Sequence, residues 1–549
     1  MNWLPFLGPA AIGVASLGLT IGVAAKTAYQ RRPKETPNVY GDARFMTFHE
    51  LKRSGLLVNR QTPHTNGVYL GAWEDSHGAL HYLRDISNGH VAICGPTRSG
   101  KSVSCIVPTL LSWHGSAIVH DEKGELWTQT SPWRAAHIGP VIRWEPGART
   151  GSDSWNPLSE VRLLTPHEFA DALNVALMII DVKGHGLDKL DHWQKASVPI
   201  LAGCVLHELY LARATRRVAS LAEIAGWFAD PTGSADTLWE DMRDNDHAGG
   251  HPHLVIAAAG RSQTDRSERE RSSVTSTLLT HLTLFFDEIV AANTGESDFR
   301  LDDLADSAAP VTIYVTALPN DTVRLRPLVR LFLTMAMRSL MSPKLIHVQG
   351  RPTNPHRYET LMLLDEFPSL GKLEEVETDL ARAASWGVKF LMCIQDITQL
   401  DGIYGRGHSI FANTHTRAFF PTNDLTTAEV LSKSTGTMTA QTPHTTIMGR
   451  RTGFMGQVTK SIQPTSRPLM TPGEILTMRA AAKDETGRIT EPGDMLIFLM
   501  GNRPLKAQQM LYFRDPEFAA RAQAVPPQPT PPPPAPPLRL PWLPAMPPP

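Results

Sequence analysis

Short apolar runs bounded by turn residues fill the first part of the chain. Val68–Trp73 and Leu80–Leu83 are strand-like and separated by the turn-prone Asp75-Ser76-His77-Gly78, which predicts a hairpin. Two buried strands are expected next, at Val91–Cys94 and Ser116–His120. Between about Leu163 and Asp298 the apolar positions change to helical spacing, over Pro166–Ile179, His192–Ala212, Ser220–Phe228 and Val274–Val290. Strand runs return at Val311–Thr316, Thr360–Leu364 and Val388–Ile394, and helical patterns at Arg324–Met341 and Leu373–Ser385 supply the crossovers that parallel strands need. This order predicts an α/β domain interrupted by a helical insertion.

Both ends break the pattern. No charged residue occurs from Trp3 to Ala25, long enough for a helix to cross a bilayer, and Lys26, Arg31, Arg32 and Lys34 follow it. A membrane anchor with the bulk of the chain on the cytoplasmic side is expected. Thr435–Arg467 is rich in Thr, Gly, Gln and Ser and predicts a long exposed loop or ragged hairpin. From Pro526 to Pro549 fourteen residues are proline, too many for helix or sheet interior, so an extended tail is expected. The predicted layout is an anchor (1–28), a juxtamembrane linker and domain entry (29–66), a first part of a nucleotide-binding domain (67–160), an inserted all-α domain (161–300), a second part of the nucleotide-binding domain (301–524) and the proline-rich tail (525–549).

At 549 residues the chain is too long for one ordinary core. Its net charge of −1 excludes a simple, globally basic nucleic-acid binder, so any DNA contact must be local or built by assembly. Cys94, Cys105, Cys204 and Cys393 sit in apolar runs without C-x-x-C pairing, which argues against a zinc or disulfide framework and for core packing.

The chemistry starts at Gly95-Pro96-Thr97-Arg98-Ser99-Gly100-Lys101-Ser102, which fits G-x-x-x-x-G-K-[ST] directly after a predicted strand. The glycines let backbone N–H groups converge on phosphate oxygens. Lys101 adds a positive charge toward the β- and γ-phosphates and Ser102 holds Mg²⁺, so a nucleoside triphosphate is the expected ligand. A second element, Leu361–Leu364, carries Asp365 and Glu366 to its carboxyl end; Asp365 is the candidate to orient the Mg²⁺ shell and Glu366 to polarise the attacking water. Ala117–His120 also runs into an acidic pair, Asp121-Glu122, a rival for the metal role that is assigned to the neighbouring strand's rim, as a subunit contact or a group behind the metal ligands. Gln395, at the end of the Val388–Ile394 strand, is a candidate γ-phosphate sensor. Arg382, Arg417 and Arg467 are candidates for a charge-stabilising arginine given to a neighbour's site.

Several segments together resemble the type IV secretion coupling proteins, the TraG-like conjugation ATPases. Gly95–Ser102 is similar to their first motif, and Asp121-Glu122-Lys123-Gly124-Glu125-Leu126 resembles their D-P-K-G-E-L segment with Glu122 in place of proline. Asn156-Pro157-Leu158, the run from Leu363 through Asp365-Glu366-Phe367-Pro368 to Leu373, Gln395-Asp396, Gln399-Leu400, Ile403-Tyr404-Gly405 and Ser466-Arg467-Pro468-Leu469-Met470 come in the family's order. The resemblance implies a RecA-like P-loop NTPase domain with an inserted all-α domain, ATP and Mg²⁺ as ligands, and a hexamer on the bacterial inner membrane. It further implies single-stranded DNA with its relaxase, or effector proteins, handed to a type IV secretion channel. Another DNA-pumping ATPase of the division-site type and a recruitment platform with little turnover are the alternatives.

Overall fold

The computed structural model describes residues 39–57, 65–182, 184, 186–229, 235–247, 249–448 and 457–524. The predicted span at Trp3–Ala25 and the proline tail lie outside them. Among the described residues no helix is long and apolar enough to cross a membrane.

Two compact units result. The smaller joins residues 39–44 to 432–471, and the larger holds 45–431 and 472–524. The smaller is built on an antiparallel ladder of Thr437–Met448 with Gln457–Pro468, the hairpin alternative predicted for this stretch.

The larger unit is organised by one eleven-stranded sheet. In chain order its strands are β1 (Val68–Glu74), β2 (Leu80–Asp85), β3 (His90–Cys94), β4 (Ser116–His120), β5 (Val141–Trp144), β6 (Thr312–Val315), β7 (Thr360–Leu364), β8 (Val388–Ile394), β9 (Thr414–Phe419), β10 (Asp494–Leu499) and β11 (Leu505–Gln508). The spatial order is β2-β1-β11-β10-β9-β3-β8-β7-β4-β6-β5. From β9 to β5 every neighbouring pair is parallel, and from β9 back to β2 every pair is antiparallel. β3, β4, β7 and β8 are buried at every position, as expected of strands covered on both faces, and all four cysteines are buried and free.

Among the described residues, no strand lies between β5 and β6. That stretch holds helices at Glu168–Ile180, His192–Thr215, Leu221–Ala229, Ala235–Asp244, Leu254–Thr264, Glu268–Leu282 and Glu288–Asn293. The single helix expected over Val274–Val290 is two helices. Thr283–Phe286 tightens into a 3₁₀ turn, and Asp287 caps the second helix by accepting the N–H of Ile289 at 2.9 Å. The polar entry segment also contains a short helix, Phe48–Arg53, started by the reciprocal Thr47/Glu50 capping box.

Arg134 shows how the P-loop side of the sheet is fixed. Fully buried on helix Glu125–His137, its guanidinium donates to Thr312 Oγ1 (2.8 Å) and to the carbonyls of Leu110 (2.8 Å), Trp113 (2.8 Å) and Gly115 (3.0 Å). One side chain thus satisfies buried carbonyls that helix Val107–Leu110 leaves unpaired at its end and that precede β4.

Candidate nucleotide site at the carboxyl edge of the sheet

The loop after β3 has the backbone a phosphate cradle needs. Arg98 (φ 61°) and Gly100 (φ 100°) are in left-handed conformations, which turn successive N–H groups to one side. A Cβ at Gly95 would lie 2.7 Å from Phe420 Cβ, so that glycine is required sterically, whereas Gly100 is required by its backbone at φ 100°. The loop runs into Ser102–Ile106, where the N–H of Val107 reaches back five residues to Ser102 O, before ordinary α geometry at Val107–Leu110. Such a widened turn is frequent at functional sites. Lys101 is buried and donates to the Gly95 carbonyl.

β7 delivers the acids to the same edge. β8 lies between β3 and β7, pairing Ile394 with Cys94 on one side and Met392 with Leu364 on the other, so the three strands end nearly level. Gln395 follows β8 directly, and its Nε2 donates to Glu366 Oε2 at 3.1 Å. Burial, then the charge of Asp121, push the Asp365 carboxyl up to about 7, with Lys101 opposing. Glu366 is also raised, again chiefly by burial, against its bond from Gln395 and the charge of Lys101. Lys101, Asp365, Glu366 and Gln395 therefore share one electrostatic neighbourhood.

The rival pair sits beside them. Leu364 pairs with His120, and the Asp365 N–H reaches His120 O at 3.4 Å, which sets Asp121 next to Asp365. The Asp121 carboxylate, however, is turned into its own loop, accepting the N–H of Trp127 at 2.8 Å and those of Lys123, Leu126 and Gly124. Glu366 Oε1 and Ser99 Oγ are buried without a hydrogen-bond partner, as is Glu122 Oε1 beside them, and burial raises both Asp121 and Asp365, the latter to about 7 with no backbone N–H among the causes that lower it. A loop of converging N–H groups, a lysine, and acids poorly satisfied by protein fit a magnesium-bound polyphosphate.

The arginines divide differently. Arg382 is exposed on helix Glu374–Ala383 and pairs with Asp379 of its own helix. Arg417 is half-buried on β9, its guanidinium 6.0 Å from the centre of the Phe498 ring. Arg467 belongs to the smaller unit, opposite Met438 in the hairpin ladder. Two contributors had no local signal in the sequence. Gln509, just after β11, donates to Ser99 O at 2.9 Å, and Ile489 packs against Gly100. Lys123 also lies close enough to favour ionisation of both Asp365 and Glu366.

A family model described as Type IV secretory system Conjugative DNA transfer matches residues 44–530. The chain belongs to that family. Its members are P-loop ATPases that link DNA substrates to the type IV secretion system. The conjugal transfer protein TraG of Escherichia coli is 41% identical over 538 residues, covering 95% of this chain and 84% of the relative. The protein VirD4 of Agrobacterium fabrum (strain C58 / ATCC 33970) is 27% identical over 482 residues, covering 87% and 66%. Among solved structures, the bacterial conjugative coupling protein TrwBdeltaN70 superposes with a TM-score of 0.57 at 16% identity, over 87% of this chain and 96% of that one. The plasmid coupling protein TrwB in complex with ADP and Mg²⁺ gives 0.56 at 15% identity, over the same shares. At such identities the likeness is one of fold.

Proposed function

We propose that the chain is a membrane-anchored, Mg-ATP-driven motor of conjugative transfer, and that hydrolysis takes place at the carboxyl edge of β3, β8 and β7. The observation that carries this is the meeting of the Lys101 loop with Asp365, Glu366 and Gln395 at one edge, with Gln395 bonded to Glu366.

Gly95–Ser102 cradle the phosphates and Lys101 neutralises their charge. Ser102 and Asp365 would hold the Mg²⁺, which when bound would offset the negative charge of the phosphates. Glu366 accepts a hydrogen bond from the attacking water and takes its proton. Gln395, bonded to Glu366, orients that carboxylate and feels the loss of the γ-phosphate. Asp121 holds the neighbouring loop in shape. Since no arginine of the same unit reaches the acids through a hydrogen bond or ion pair among the described residues, the charge-stabilising arginine comes from an adjacent subunit, with Arg382 and Arg467 as donors. A ring, most simply a hexamer, then couples hydrolysis to relative subunit motion.

Residues 1–28 anchor this motor in the bacterial inner membrane with the rest cytoplasmic. Residues 161–300 form an all-α docking domain between the two parts of the nucleotide-binding domain, 67–160 and 301–524. Single-stranded DNA with its relaxase, or an effector protein, is the cargo passed to the secretion channel.

The test is Mg-ATP turnover with and without single-stranded DNA, on wild type and Glu366→Gln, together with crosslinking of cargo in donor cells carrying Lys101→Ala. DNA-stimulated turnover that Glu366→Gln abolishes, and cargo that docks on Lys101→Ala but does not pass, are the expected results. Unchanged cargo passage in Lys101→Ala refutes an energising role.

A further inference from the structure

The segment that leaves Glu366 is short and held at both ends. Ser369 donates its N–H (3.1 Å) and its hydroxyl (2.8 Å) to the Glu366 carbonyl, and Gly371, at φ 71°, turns the chain and donates to Pro368 O at 3.0 Å. The Leu373 N–H donates to the Tyr404 hydroxyl at 3.1 Å, while the Tyr404 ring stacks on Phe367 with centroids 5.6 Å apart. Tyr404 ends the helix Ile397–Tyr404 that begins just after Gln395. The strands carrying Glu366 and Gln395 therefore continue into segments that meet again at Phe367, Leu373 and Tyr404.

Arg330 closes this junction from outside. It stands on helix Thr322–Leu340; its Nη2 donates to Lys372 O at 2.8 Å and its Nη1 donates to Val182 O. Val182 lies just past helix Glu168–Ile180, the first helix of the stretch between β5 and β6. One guanidinium thus bonds two carbonyls that lie 190 residues apart in sequence, one six residues after Glu366 and one in the helical insertion. The fit is close: a Cβ at Gly184, which is at φ 66°, would collide with both Arg330 Nη2 and Lys372 O. A planar fork can hold two carbonyls in fixed relation, whereas an ammonium at the end of a flexible chain reaches only one of them well. Burial lowers the pKa of Arg330, and its Nε is buried without a partner. This side chain is desolvated for the sake of two backbone bonds.

We infer that Arg330 is a positioning residue for ATP turnover that ties the loop behind Glu366 to the inserted helices, so that the nucleotide state of the sheet edge and the state of the helical region are read by each other. The inference rests on the assignment of Glu366 to the hydrolytic step. Two contacts of one rigid group supply the physical link; no longer chain of residues is invoked.

The experiment uses the full-length protein as wild type, Arg330→Ala and Arg330→Lys, with backbone hydrogen exchange followed in 168–182 and in 366–373, with and without Mg²⁺ and a non-hydrolysable ATP analogue. In wild type both segments change exchange on binding. In Arg330→Ala the change at 366–373 remains and that at 168–182 is lost, while kcat falls about three- to tenfold with KM unchanged. Arg330→Lys, which keeps the charge and a partial bond, gives an intermediate response, and it carries the test should the alanine variant fail to fold. A nucleotide-dependent change at 168–182 that survives in both variants overturns the bracket. No change at 366–373 in wild type instead overturns the assignment of Glu366, which separates the two failures.

Discussion

β4 and β7 lie side by side, run parallel, and are followed by the same dipeptide, Asp-Glu, yet the two aspartates are held differently. After Asp121 the chain continues Glu-Lys-Gly, and Gly124 at φ 69° bends it so that the Trp127 N–H bonds the Asp121 carboxylate and the N–H groups of Lys123, Gly124 and Leu126 are turned toward it. After Glu366 it continues Phe-Pro-Ser. Pro368 has no N–H to give, and both donors of Ser369 go to the Glu366 backbone carbonyl. Among the described residues, Gln395 gives the one side-chain hydrogen bond on the β7 pair's carboxylates. The residues just beyond an acidic strand end therefore set how many backbone N–H groups turn back to its aspartate, which on the proposed function separates Asp121 from Asp365.

The largest expected effect exploits this directly. Glu366→Gln keeps the bond geometry to Gln395 but removes the proton acceptor, so Mg-ATP turnover falls by roughly 10²–10⁴-fold while nucleotide binding is retained, measured by steady-state phosphate release and equilibrium binding. Glu122→Gln, the matching position on β4, leaves turnover within about twofold. Equal losses in the two variants would erase the distinction between the strands.

Stability should separate the two aspartates in sign. Asp121→Ala leaves buried N–H groups unpaired and destabilises the chain by about 2 kcal/mol or more. Asp365→Ala removes a carboxylate that burial and Asp121 already disfavour, so the nucleotide-free protein melts no lower than wild type, but loses its stabilisation by Mg-ATP. Acidity gives a finer version. With Asp365 pushed up to about 7 from an ordinary 3.8, the folded chain holds a proton that the unfolded chain has released. This group's contribution therefore makes nucleotide-free stability fall as pH rises from about 4 to about 7, and level off above. Asp365→Asn removes that part of the fall, read by melting at pH 5, 6, 7 and 8.

Much of this edge was legible in the sequence because its signals are local. A buried strand followed by Gly95–Ser102, an apolar run ending at Asp365-Glu366, and a strand ending at Gln395 each declare themselves within a dozen residues. Asp365 is preferred over Asp121 in the sequence on the length of its apolar run; that the two lie side by side depends on the strand order and has no local signal. Gln509 and Ile489 carry no pattern of their own; they reach the P-loop because the chain returns to this edge about 400 residues later, Gln509 just after β11 and Ile489 just before β10. Helix breaks such as Thr283–Phe286 are hidden for a different reason, since apolar spacing continues through a tightened turn while an aspartate cap restarts the helix.

The smallest effect in the isolated chain belongs to Arg382, and that is what makes it informative. Its one ion pair, to Asp379 on the same exposed helix face, is of the kind that contributes at most a few tenths of a kcal/mol, so Arg382→Ala should leave melting within about 0.5 kcal/mol of wild type. Nothing on β4 or β7 of its own subunit depends on it. A large loss of turnover under assembly conditions, without loss of stability, would then have to arise at another subunit's acids. Mixing gives the decisive version: Arg382→Ala subunits have an intact Glu366 but no arginine to lend, and Glu366→Gln subunits have the reverse. If the arginine acts across the contact, a mixture of two nearly inactive proteins regains turnover at sites where an intact Glu366 faces an intact Arg382. If it acts within one chain or not at all, the mixture stays at the sum of its parts, and Arg467→Ala takes its place in the same experiment.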